Sequence, residues 1–172
     1  PRGRQARAWR VRTAGRHLHL TDRLQSDVTC DLHETLGDFI IRRGDGLFAY
    51  HLACVVDDAE AGITEIVRGS DLLWSTLPQI HLQGLLDLPR PAYAHLPVAV
   101  NDAGNKLSKQ TFAAPLDHRH APQLLIAALR FLGQTPPPGL VRADPAEILA
   151  WAVASWREAD IPRDAAPAPE LP

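Results

Sequence analysis

Leu47-Phe48-Ala49-Tyr50-His51-Leu52-Ala53-Cys54-Val55-Val56-Asp57-Asp58-Ala59 is followed, after Glu60-Ala61, by Gly62-Ile63-Thr64-Glu65-Ile66-Val67-Arg68-Gly69-Ser70-Asp71. Leu52, Val55 and Val56 fall at helical spacing, so His51–Ala59 reads as a helix. Gly62 punctuates it, and the β-branched run Ile63–Arg68 reads as a strand closed by Gly69. On the N-terminal side Phe39–Arg43 reads as a strand, Gly44-Asp45-Gly46 as a turn, and Leu47–Tyr50 as the returning strand. On the C-terminal side a helix is expected over Thr76–Leu86, with Thr76 as its cap and Pro78 in its first turn. Strands that alternate with helices argue for an α/β fold with some parallel sheet.

Farther out the signals weaken and then recover. Residues 1–20 carry six arginines, no acid and no convincing apolar period, which predicts a solvated arm; contact with phosphates is the functional alternative. Residues 87–101 read as irregular, with Val98–Val100 as a possible last strand, and Asn101–Asn105 as a loop. Pro122–Leu132 reads as a helix with Gly133 as its stop. Asp144–Trp156 reads as another: Asp144 caps it, Pro145 takes the first position and Glu147 completes a capping box. Ile148, Leu149, Ala152, Val153 and Trp156 are its expected buried stripe, and Pro162–Pro172 reads as a frayed tail. The expected divisions are 1–35, a basic segment; 36–113, the α/β part; 114–161, a helical region; and 162–172, the tail.

Composition bounds the function. Of 172 residues 45% are hydrophobic, which suits a packed domain rather than a disordered chain. No apolar run approaches the ~18 residues of a membrane span. A net charge of −2 announces no nucleic-acid binder, although a local basic face suffices for one. Two cysteines, Cys30 and Cys54, make no disulfide framework and fit a reducing cytoplasm. The chain starts at Pro1 and has no methionine, as expected of a piece of a longer or processed product. Its cations are sixteen arginines and two lysines, and both lysines stand in Lys106-Leu107-Ser108-Lys109-Gln110.

That pentapeptide follows a polar, glycine-containing loop that can close over a triphosphate. Two ammonium groups there can meet charge developing on a leaving pyrophosphate, and lysine's flexible stem suits a loop that tightens in the transition state. Taken alone, such a string is most often a surface loop. Arg68 and Tyr50 have bland readings too: a strand-end surface arginine and a core tyrosine with a wet hydroxyl. Asp57 and Asp58 read as capping or solvated carboxylates, and Cys54 as a small buried apolar group. His17/His19 and His118/His120 are close pairs without further ligands, so no metal site is expected in this chain.

In this order and spacing, the Leu47–Ala59 and Gly62–Asp71 stretches and the lysine loop resemble the glutamyl- and glutaminyl-tRNA synthetases. The resemblance runs from about Phe39 to Leu132. Leu107 stands where that family's loop usually has methionine, and Gln110 replaces its usual last residue, but neither change removes a lysine. The resemblance implies the second half of a class I synthetase Rossmann-type catalytic domain, followed by a small helical region. It implies ATP as substrate with Mg2+, and glutamate as the amino acid activated to an adenylate. Tyr50 and Arg68 would bind glutamate; Lys109, with Lys106 and Ser108 in the same loop, would bind ATP, and Lys109 would be the catalytic lysine. Arg68 at the end of a predicted strand stands where ligands gather in open α/β sheets, and a guanidinium can grip a carboxylate through two hydrogen bonds.

Two parts of the family pattern are missing. No HIGH-type motif occurs in the chain, and a zinc-bearing insertion, where a member has one, would precede residue 1. Only 62 residues follow Gln110, whereas ordinary members continue into an anticodon-binding domain. That ending, with Asp38–Arg43 and the loop's sequence, resembles the short branch that attaches glutamate to queuosine in tRNA(Asp). The expectation is therefore a cytoplasmic, monomeric ligase acting on glutamate, ATP and tRNA(Asp), of which this fragment alone is inactive. The alternatives are a fragment of a synthetase charging tRNA(Glu) and a non-catalytic tRNA-binding module.

Overall fold

A computed structural model gives the fold and describes residues 7–108, 115–163 and 166–167. Two compact units divide the chain, Pro1–His95 and Leu96–Pro172. Among the described residues no helix is long and apolar enough to cross a membrane.

The first unit runs β1 (Trp9–Val11), β2 (His17–Leu20), β3 (Val28–Asp31), α1 (Leu32–Leu36), β4 (Phe39–Arg42), α2 (Tyr50–Glu60), β5 (Glu65–Gly69), α3 (Leu73–Leu85) and β6 (Ala92–Leu96). β1 pairs antiparallel with β4 around a bulge at Trp9/Arg10, and β2 pairs antiparallel with β3. β5 pairs with β6, and α3 connects them. Its core is Val11, Leu20, Leu32, Phe39, Val55, Leu77, Ile80, Leu82 and Tyr93. Burying aliphatic side chains of this size contributes about 1.5–3 kcal/mol each.

Four expectations change here. The arginine-rich start holds two strands where an arm was expected: Val11 and Leu20 turn inward while the residues around them face outward. Leu47–Tyr50 is not a returning strand. Phe48 makes a single bridge to Arg42, and the chain enters α2 at Tyr50. Helix α3 starts before Thr76, because Ser70–Leu72 forms a 3-10 turn that leads straight into it. Thr76 is thus an interior, fully buried residue whose hydroxyl donates to the Leu72 carbonyl at 3.1 Å, and Pro78 lies inside the helix. Strand β6 falls in the stretch expected to be irregular.

The second unit contains β7 (Ala99–Val100), α4 (Ala121–Phe131), α5 (Pro145–Ser155) and β8 (Ala166–Pro167). β7 and β8 pair in parallel, so part of the expected frayed tail is held. Ile126, Leu129, Ile148 and Ala152 form the core between α4 and α5. Asp144 accepts from Ala146 N and Glu147 N, and Glu147 returns a bond to Asp144 N, the capping box legible in the sequence. Leu149, Val153 and Trp156, read as part of the buried stripe, are exposed instead; α4 covers only the face of α5 that carries Ile148 and Ala152. Gln134 is buried and exchanges hydrogen bonds with the Arg157 backbone, tying the end of α4 to the segment after α5.

Candidate functional site

Arg68, on β5, is half-buried, and three protein acceptors hold its guanidinium. Nε donates to His95 Nε2 at 3.1 Å, and Nη2 donates to Thr76 Oγ1 at 2.7 Å and to Gln79 Oε1 at 2.8 Å. Helix α3 supplies Thr76 and Gln79 one turn apart on its buried face, and β6 supplies His95. The guanidinium lies 5.8 Å from the centre of the Tyr93 ring, a cation–π contact. Nη1 has no hydrogen-bond partner among the described residues. The inner edge of the fork is therefore spent on the protein, and Nη1 carries the donors left for an anion.

Behind Arg68 stands a buried acid. His95 Nδ1 is 2.5 Å from Asp22 Oδ2, and both side chains are fully buried. Asp22 Oδ1 accepts from the backbone N–H groups of Leu24, Gln25 and His95. Burial alone would raise the Asp22 carboxyl; the N–H of Gln25 and the His95 ring, with the His95 and Leu24 N–H groups, outweigh it and hold the group below its ordinary 3.8.

Tyr50 opens α2 and is exposed. Its hydrogen bond with the Cys54 thiol, one turn on, raises the hydroxyl's pKa, and the charge of Arg68 pulls it back. The same charge reaches His51, whose burial already lowers its pKa. The structure therefore brings Tyr50 and Arg68 into one electrostatic neighbourhood. Among the described residues, two buried polar atoms there have no hydrogen-bond partner, His51 Nδ1 and Gln79 Nε2, an arrangement that costs about 1–3 kcal/mol each when left unmet.

The lysine loop belongs to the second unit. Asn101 organises its approach: Oδ1 accepts from Ala103 N and Asn105 N, and Gly104 takes a positive φ. Val100 bridges Lys106, and Leu107 N donates to Ala99 O, so the segment doubles back beside β7. Lys106 is exposed and Ser108 half-buried. Lys109 lies outside the described residues. No group of three His, Cys, Asp or Glu side chains is placed to hold a metal among the described residues.

A sequence profile of the family described as tRNA synthetases class I (E and Q), catalytic domain, matches residues 5–139. This chain belongs to that class I synthetase family. It is 58% identical over 95% of its length to a glutamyl-Q tRNA(Asp) synthetase of Aromatoleum aromaticum, covering 51% of that protein. It is 53% identical over 91% of its length to one of Thiobacillus denitrificans, covering 52% of it. It thus spans about half the length of the curated relatives it matches. The crystal structure of glutamate-tRNA synthetase from Elizabethkingia anophelis superposes with a TM-score of 0.67 over 88% of this chain and 34% of that one, at 22% identity. The fold is that of the glutamyl-tRNA synthetases, with mixed helices and strands.

Within this synthetase chain the residues that support Arg68 were missed by sequence reading. Asp22 and His95 are 73 positions apart, so no local spacing joins them. The one usable signal was Tyr93-Ala94-His95-Leu96 after a proline-rich stretch, a short run of strand length in which Tyr93, Ala94 and His95 are all buried.

Proposed function

We propose that the protein carrying this chain activates glutamate with ATP and Mg2+ and transfers it to the queuosine base of tRNA(Asp). The observation that carries this reading is the likeness, over nearly the whole chain, to relatives that bear the name glutamyl-Q tRNA(Asp) synthetase. On this reading the chain is the second half of a Rossmann-type catalytic domain with a helical appendage, working as a monomer in the cytoplasm. Arg68 takes a glutamate carboxylate through Nη1, Tyr50 packs beside it and directs its hydroxyl, and the orphaned Gln79 amide adds a donor to the same neighbourhood. Lys109, with Lys106 and Ser108, meets the ATP phosphates as pyrophosphate leaves.

The test is incorporation of labelled glutamate by the complete gene product into tRNA(Asp) with and without queuosine. Labelling that requires queuosine is expected. Equal labelling of the two, or labelling of tRNA(Glu) alone, rejects the acceptor.

A further inference from the structure

A guanidinium can turn about its own stem, so a carboxylate-binding arginine needs something to fix its plane. Arg68 Nε is a donor in every protonation state. Its partner at 3.1 Å, His95 Nε2, must therefore be a bare acceptor. The ring proton is then on Nδ1, where Asp22 Oδ2 accepts it at 2.5 Å. Three backbone N–H groups occupy Oδ1, which leaves Oδ2 facing the imidazole. Thr76 Oγ1, 3.1 Å from Nε2, accepts from Arg68 and has Leu72 O for its own proton. The Tyr93 ring stacks on the imidazole at 6.1 Å and also underlies the guanidinium. The side chains of Asp22 and His95 are fully buried.

We propose that Asp22 and His95 are positioning residues: the carboxylate locks His95 in its Nδ1–H tautomer, and the bare Nε2 turns Arg68 so that Nη1 faces the substrate carboxylate. This rests on the reading of Arg68 as a glutamate-binding residue. Asp22→Asn separates this role from a merely structural one. The amide oxygen still accepts the three backbone bonds. The amide nitrogen, however, donates to Nδ1 and drives the ring proton to Nε2, against Arg68 Nε–H. An acid-to-amide change behind a histidine acts in this way by imposing the wrong tautomer.

The experiment uses the complete gene product and glutamate-dependent ATP–pyrophosphate exchange. Asp22→Asn is expected to raise the glutamate KM at least about tenfold, with the ATP KM within about twofold, as befits loss of a charged hydrogen bond to one substrate only. His95→Gln, whose Oε1 can stand where Nε2 stood, is expected to keep more glutamate affinity than His95→Leu. Nitrogen-15 spectra of labelled histidine are expected to show the Nδ1–H tautomer in the wild type. An Nε2–H tautomer there overturns the proposal whether or not Asp22→Asn folds. Arg68→Ala keeps the two ideas apart. If it leaves the glutamate KM unchanged, the reading of Arg68 falls. If it raises the KM while Asp22→Asn and His95→Leu do not, only the relay falls.

Discussion

Arg68 is the residue on which the site turns, and its surroundings set what substitutions there do. Three of its N–H groups are committed to His95, Thr76 and Gln79. Arg68→Ala therefore removes the substrate contact and also strips a donor from three buried acceptors. Loss of a charged hydrogen bond of about 3 kcal/mol corresponds to a glutamate KM raised on the order of a hundredfold. Arg68→Lys is expected to recover little, since an ammonium cannot span His95, Gln79 and a ligand at once. Steady-state exchange kinetics at varied glutamate check both, and an unchanged KM in Arg68→Ala would reject the role. Lys109 is expected to behave differently. If it meets charge that appears only as pyrophosphate leaves, Lys109→Ala lowers the exchange rate about a hundredfold and moves the glutamate KM little. Wild-type exchange in that variant would remove the assignment.

Elements whose signals are local were legible, and their ends give sharp predictions. Gly133 closes α4 at φ +74, and a Cβ there would sit 1.9 Å from Asp160 O. Gly133→Ala combines backbone strain with a backbone clash and is expected to destabilise by more than about 1 kcal/mol. Asp144→Ala, which deletes the cap of α5, is expected to cost about 1 kcal/mol. Urea unfolding followed by circular dichroism measures each; a stability equal to wild type in Gly133→Ala would contradict the close approach. The capping box and the glycine stop were readable because their partners are three residues away or fewer. Strands β1 and β2 were not, since three or four residues of arginine-rich chain show no period, and β1 has its partner at Phe39–Arg42. Tyr50 and Arg68 stood out through the family resemblance. Asp22, Thr76 and His95 did not, because the contacts that join them run between distant segments. Thr76 in particular looked like a cap, when its hydroxyl serves the interior of a helix that had already begun.

At the scale of the molecule, Asp22 links the turn after β2 to β6 and is expected to contribute to how the first unit responds to acid. Its carboxylate accepts from Leu24, Gln25 and His95, bonds that a neutral carboxyl makes less well. The folded-state pKa is depressed below 3.8, so the unfolded chain binds the proton more readily. The contribution to stability is fully present above that ordinary value and is lost as pH falls through the lower, folded one. Asp31 and Asp38, in the same unit, are also lowered, each first by a backbone N–H, but both are exposed enough that solvent weakens their share. The expectation is a first unit whose stability declines steeply below about pH 4, and an Asp22→Asn variant that is less stable near neutrality but declines less on acidification. Urea midpoints taken from about pH 3 to about pH 6, with tryptophan fluorescence and amide exchange in β6 as probes, measure the two slopes. Parallel slopes in wild type and variant would mean that the buried carboxylate is not the group that titrates.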